Sequence, residues 1–255
     1  MEEFHMTRLF GVSWLAELSV LFVLFVAAAS GVGRPAQAEV LELRKSVAGT
    51  RVSYKVVLPD GYMPGTDYPG VLVFGGGPQT MRTIDGALDR NFRAAAETRG
   101  YIVVAPAAPG GDLFFRDGAR IFPQFLDMIL ADYRIRGGKF HVAGPSNGGI
   151  AAFHVAAQNA AYFVSVTAFP GYMWQPSAAK LQAISKLCTF MYVGEHDEYR
   201  WHDEMRREAE YLSALGTLAR YTLEQGQPHR LETLAGPNAG RLFDDFAEAE
   251  QGCSR

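Results

Sequence analysis

Apolar positions along this chain follow two rhythms. Short continuous runs, such as Val71-Leu72-Val73-Phe74, Tyr101 to Ala105 and Cys188 to Val193, have the length of strands buried on both faces. Val40 to Lys45 and Arg51 to Leu58 predict two further strands, joined by a turn at Ala48-Gly49. Phe140 to Ala143, Phe163 to Phe169 and Ala219 to Leu223 complete the strand set. Helical spacing fills the gaps. Leu88 to Arg99 predicts a helix closed by Gly100, and Ile121 to Tyr133 carries Phe122, Phe125, Leu126 and Ile129 on one side. Gly148 to Asn159, Trp201 to Leu215 and Gly236 to Gln251 predict three more, the last with Pro237 near its start.

Strands alternating with helices imply right-handed crossovers. They predict an α/β chain with a mostly parallel central sheet and helices on both faces. Ligands in such sheets bind beyond the carboxyl ends of the strands. The loops after Phe74, Ala105, Ala143, Phe169, Val193 and Leu223 are therefore the places to look for chemistry.

The first 38 residues stand apart. Arg8 precedes an apolar stretch from Leu18 to Ala29, followed by Ser30, Gly31, Gly33 and Pro35, then Ala36-Gln37-Ala38. This order of charge, apolar core and small residues reads as a secretory signal peptide over 1–38, leaving one domain over 39–255. Met1 and Met6 are both candidate starts, because Glu2 and Glu3 are unusual in a positive leader. The alternative is an uncleaved membrane anchor; the apolar core is short for a span and Glu17 interrupts its extension, so the mature chain is expected to be secreted or periplasmic with no stable membrane association. A net charge of −3 supplies no basic surface for nucleic acid. Two cysteines make no disulfide framework. They could form one bridge in an oxidising compartment, but Cys188 opens an apolar run and is expected as a buried thiol, with Cys253 in a loose tail.

The chemistry concentrates at Gly144-Pro145-Ser146-Asn147-Gly148, between an apolar strand and a helix of small residues. A strand–tight turn–helix of this kind presents a serine as a nucleophile, and side chains at the flanking positions would clash. The competing role for Ser146 is that of a helix cap. A serine nucleophile needs a base. Among the downstream histidines, His154 lies within a helix, while His196 and His202 flank the loop after Val193. His229, in Gly226-Gln227-Pro228-His229, follows the last strand and is the base this order selects. Asp197 in Gly194-Glu195-His196-Asp197-Glu198 is the acid that would orient it, with Glu195 as rival. His196, Asp197, His202 and Asp203 are metal-ligand types that leave a metal site open, but their spacing matches neither His-Glu-x-x-His nor an EF-hand loop, and no cofactor is expected. Backbone donors for a developing oxyanion are expected from Asn147 and from Gly76 in Phe74-Gly75-Gly76-Gly77.

The run from Asp132 through Gly149 and the segment Gly226 to Leu231 resemble the secreted polyhydroxybutyrate-depolymerase and feruloyl-esterase-like hydrolases. The resemblance implies the α/β-hydrolase fold without a sizeable lid, a Ser146–Asp197–His229 triad, and metal-free cleavage of a small-molecule or oligomeric ester. Phe74 stands where a histidine often opens the oxyanion loop. The dienelactone-hydrolase and prolyl-oligopeptidase branches are similar at this distance. Phe114, Phe115, Tyr172 and Trp174 lie on strand-end loops and are expected to line an apolar substrate pocket, or else to pack as core. Two rival functions remain at this level: a serine peptidase of prolyl-oligopeptidase type, and a non-catalytic secreted binding protein on the same fold.

Overall fold

The computed structural model describes residues 39–253; the segment read as a leader lies outside the described residues. Eight strands form one open sheet: β1 (Glu39–Val47), β2 (Thr50–Leu58), β3 (Tyr68–Val73), β4 (Ile102–Pro106), β5 (Ile135–Gly144), β6 (Phe163–Ala168), β7 (Cys188–His196) and β8 (Ala219–Pro228). Their spatial order is β1-β2-β4-β3-β5-β6-β7-β8. β2 pairs antiparallel with both β1 and β4, while every pairing from β4 through β8 is parallel. The hairpin turn falls at Ala48-Gly49, where both residues take positive φ as a two-residue turn requires.

Seven α-helices are described: α1 (Met81–Ala87), α2 (Arg93–Arg99), α3 (Gln124–Asp132), α4 (Asn147–Gln158), α5 (Ala178–Ala183), α6 (His202–Ala214) and α7 (Gly240–Ala249). Strand side chains alternate between two cores. Leu72 and Phe74 join the face covered by α3, α4, α5 and α6. Val71 and Val73 join the face covered by α1, α2 and α7. Helices on both faces of a largely parallel sheet are the architecture that the hydrophobic rhythm implied.

Element boundaries differ from the sequence reading where caps and turns decide. The helix expected from Leu88 begins at Met81, because Thr80 caps it by accepting from Thr83 N, and a π turn over Leu88–Phe92 links α1 to α2. The helix expected from Ile121 begins at Gln124, behind Pro123 and a 3-10 turn over Asp117–Ile121. α5 was not anticipated; Ser177 caps it by accepting from Lys180 N.

The expectation for the cysteines is corrected. Cys188 and Cys253 form a disulfide, with Cα atoms 4.8 Å apart. Cys253 is no loose tail: α7 returns the chain to the sheet, and Leu218 N donates to the Cys253 carbonyl at 2.7 Å. α7 is held there by Leu242, Phe243 and Phe246, all buried against the sheet face that also carries Cys188.

Candidate functional site

The site is built where three strand ends meet. β5 ends at Gly144, and the chain turns at once into α4. The turn has no room. A Cβ on Gly144 would stand 2.6 Å from the Phe74 carbonyl oxygen, and one on Gly148 would stand 2.3 Å from it. These are contacts that only glycine avoids. Ser146, between them, has φ 57° and ψ −126°, a backbone region that L residues seldom adopt. The Ser146 side chain makes no cap hydrogen bond to α4. The capping role weighed for it is thereby excluded, and Oγ is directed elsewhere.

It is directed at His229. Ser146 Oγ lies 2.9 Å from His229 Nε2, and His229 Nδ1 lies 2.9 Å from Asp197 Oδ1. A carboxylate only accepts, so Nδ1 carries the imidazole proton and donates to Asp197. Nε2 is then the acceptor for the serine hydroxyl. The β7–β8 ladder explains the meeting of acid and histidine. Its pairing continues past a register shift to His196↔Pro228, so the next residues, Asp197 and His229, emerge side by side. Gly194 permits that close approach, since a Cβ there would stand 2.2 Å from the carbonyl oxygens of Gln227 and Pro228. The Asp197 carboxylate is wholly buried and also accepts from Tyr199 N at 2.9 Å.

The other acids of this loop serve the backbone. Glu195 accepts from Gly226 N and Glu198 from His229 N. Glu195 is thus no rival to Asp197 for the imidazole. His202 Nε2 donates to the Gly194 carbonyl at 3.0 Å and Asp203 pairs with Arg206, which accounts for two of the metal-ligand types.

Gly76 lies across the serine. A Cβ on it would stand 3.6 Å from Ser146 Cβ and 3.2 Å from the Pro145 carbonyl oxygen. Asn147 is the first residue of α4, where backbone N–H groups lack intrahelical acceptors. Gly76 and Asn147 therefore flank Ser146.

Sequence reasoning missed Gln79. It is wholly buried and takes φ 52°. Its Nε2 donates to the Asn147 carbonyl at 3.3 Å, and its Oε1 accepts from Phe114 N at 2.8 Å. Asn147 Nδ2 in turn donates to the Gly77 carbonyl at 2.9 Å. A polar residue just past a glycine run reads as loop; only the fold shows three chain segments tied through its amide.

A cavity of about 310 Å³ opens beside Ser146, with Ala87, Phe169, Pro170 and Leu231 among its apolar walls and Arg90 and Arg230 among its polar ones. The expected pocket aromatics do not line it. Phe114 and Phe115 are core residues, with the Phe114 ring tilted against Phe74 and edge-on to Phe122. Tyr172 and Trp174 are partly buried against that same core. The reason is the run Phe114 to Phe125: Phe114, Phe122 and Phe125 bury one another, and Phe115 packs on Trp174, instead of facing the strand ends. The aromatics nearest the imidazole are Tyr199 and Trp201, whose ring centres lie 4.5 and 4.9 Å from that of His229.

A second serine–histidine–acid cluster marks the difference that access makes. His141 Nδ1 lies 2.8 Å from Ser165 Oγ and Nε2 lies 3.7 Å from Glu250. Ser165 is wholly buried, His141 stacks under Phe246, and burial holds the imidazole pKa below its ordinary value. It is a packed polar pair beneath α7, with both side chains on neighbouring strands and the serine within β6, not at a strand-to-helix turn.

Layering and strand order are those of the α/β-hydrolase fold, and solved structures agree. An S-formylglutathione hydrolase from Agrobacterium tumefaciens superposes with a TM-score of 0.63 at 16% identity, over 84% of this chain and 94% of that one. A feruloyl esterase module from Clostridium thermocellum gives 0.60 at 18% identity, over 77% and 87%. A dienelactone hydrolase-like promiscuous phosphotriesterase from metagenomic libraries gives 0.63 at 16% identity, over 86% and 100%. No family model and no curated protein matches the sequence.

Proposed function

We propose that this protein is a serine hydrolase that cleaves carboxylic esters through an acyl-enzyme. The observation that carries the reading is the unbroken hydrogen-bond chain Asp197–His229–Ser146, ending on a serine held at a strained turn and not used as a cap. In the proposed reaction Ser146 Oγ bonds to the ester carbon while its proton passes to His229 Nε2. The carbonyl oxygen becomes an oxyanion facing the N–H groups of Gly76 and Asn147, each of which contributes about 3–4 kcal/mol at the transition state. Collapse breaks the bond to the alkoxy oxygen, which leaves with the proton from His229. Water then repeats the sequence on the acyl-serine. Asp197 keeps the proton of the resting imidazole on Nδ1 and offsets the charge of the imidazolium.

The esterases and dienelactone hydrolase-like protein among the structural neighbours support an ester as substrate. The Cys188–Cys253 disulfide supports residence in an oxidising compartment, in keeping with the leader read from residues 1–38. Fluorophosphonate labelling tests the nucleophile directly. The intact protein should be labelled and should hydrolyse short p-nitrophenyl esters; Ser146→Ala should do neither. Turnover undiminished in Ser146→Ala would sink the reading, and a panel of acyl, feruloyl and peptide-amide substrates assigns the class.

A further inference from the structure

The cavity beside Ser146 has a one-sided charge. Arg90 and Arg230 line it, and no carboxylate does. The same two arginines also border the adjoining outer groove, where Asp89 and Glu232 face them from the side away from Ser146. Arg90 is a fixed cation: its guanidinium donates to the Leu231 carbonyl at 3.2 Å and meets Glu232 at 2.6 Å, and its side chain is one-fifth exposed. Arg230 differs. It follows His229 directly in the chain, and among the described residues it makes neither a hydrogen bond nor an ion pair within 4.0 Å. It acts on Glu232 through its field alone, so its planar fork of five donors makes no direct contact at the wall of a cavity that Ser146 also lines.

From this arrangement we propose that the cavity binds a part of the substrate ending in a carboxylate, which Arg230 engages with Arg90 adding its field; the proposal rests on Ser146 being the nucleophile. The apolar walls, Ala87, Phe169, Pro170 and Leu231, suit a short carbon spacer between the ester and the charged end. A volume of about 310 Å³ is at the small end of ligand pockets, which fits a short spacer and not a long acyl chain. A carboxylate matches the guanidinium fork in plane and spacing, so a two-point contact forms without a second side chain. The substrate class is then an ester of a short dicarboxylic acid, or of an alcohol that bears a carboxylate.

Binding to the Ser146→Ala protein measures this without turnover. Isothermal titration would compare the monoester of a five-carbon dicarboxylic acid with the matching ester ending in a carboxamide, and a second pair would carry the same two ends on the alcohol side. In at least one pair the charged member should bind about tenfold more tightly, the span of one charge-assisted contact at a partly exposed site. The preference should shrink as salt rises. Adding Arg230→Gln should bring the ratio close to one, and Arg230→Glu should invert it. Arg134→Gln removes an exposed arginine outside the cavity, paired with Asp67, and should leave the ratio as it was. Equal binding within both pairs, or a preference that survives Arg230→Gln, overturns the inference. Turnover of neutral esters by the unsubstituted protein is a separate readout. Its absence alongside an intact charge preference would remove the hydrolase reading and uphold the anion subsite.

Discussion

Gln79 and Asn147 hold two sides of the serine site together. The buried amide of Gln79 donates to the Asn147 backbone, and the Asn147 side chain donates back to Gly77, two residues before Gln79. The loop that carries Gly76 and the first turn of α4 are thus tied twice. A backbone N–H stabilises an oxyanion only when it is already aimed at it, because reorientation during the reaction costs what the contact supplies.

Gln79→Leu should therefore lower kcat for ester hydrolysis about 10- to 100-fold, less than removal of a donor itself, with KM little changed. It should also cost roughly 1–3 kcal/mol of stability, because Phe114 N loses its acceptor in a buried place. Gln79→Glu keeps an acceptor for Phe114 N and loses the donor to Asn147, so it separates the two effects. A thermal melt and steady-state kinetics on both variants check this; equal kcat in all three proteins would show that the tie does not position the site.

The sequence disclosed the residues at the site better than it disclosed the walls around it. Ser146, Asp197 and His229 each follow a strand that could be recognised from its own apolar run, so their position in the chain implied their position in space. Gly144 and Gly148 were legible because a tight strand-to-helix turn demands them. Gln79, Arg90 and Phe169 were not, because a residue becomes part of a wall through contacts distant in the chain: Arg90 meets a carbonyl 141 residues away. The phenylalanines at 114 and 115 misled for a related reason. A strand-end loop can face the ligand or fold under the sheet, and only packing against Phe74 and Phe122 decides.

Asp197 and Glu195 were rivals on sequence grounds and differ in the structure, since Asp197 alone meets the imidazole. Asp197→Asn should reduce kcat by about 10³- to 10⁴-fold while the protein stays folded, because an amide no longer favours the proton on Nδ1. Glu195→Gln should cost far less, since an amide oxygen can still accept from Gly226 N. Comparable losses in the two variants would mean that the acid has been assigned to the wrong residue.

The Cys188–Cys253 bridge closes a separation of 65 residues. In the chain-entropy picture a loop of that size contributes about 4 kcal/mol, an upper figure because residual structure in the unfolded chain reduces it. Cys188→Ser with Cys253→Ser should lower the melting temperature by several degrees and detach the C-terminal end of α7 from proteolytic protection. Thiol titration of the denatured protein should find no free thiol before reduction and two after. Two free thiols in material from an oxidising compartment would refute the bridge.

Glu208 sits on α6 beneath the loop after β6, where both its carboxylate oxygens accept from Met173 N, at 3.1 and 3.0 Å. Burial pushes its pKa up to about 8, against the lowering effect of that N–H. The sign follows from proton counting. Between the unfolded carboxyl value near 4.5 and about 8 the folded protein holds a proton that the unfolded chain has lost, so stability falls as pH rises across that window. The slope is at most about 1.4 kcal/mol per pH unit. Asp245, raised by burial to about 6, acts in the same direction at lower pH, and buried His141 acts in the opposite one as its depressed pKa is passed. Half-buried His154, also lowered by burial, acts as His141 does, so Glu208 is read from the difference between the unsubstituted protein and a Glu208 variant over pH 6.5 to 8. Glu208→Gln preserves the shape and an acceptor for Met173 N and removes the titration. Relative to that variant, the melting temperature of the unsubstituted protein should fall progressively from pH 6.5 to 8. Parallel curves for the two proteins would show that Glu208 keeps its charge in the fold, and that the loop bearing Tyr172, whose ring meets Trp201 beside His229, is held by an ionised carboxylate.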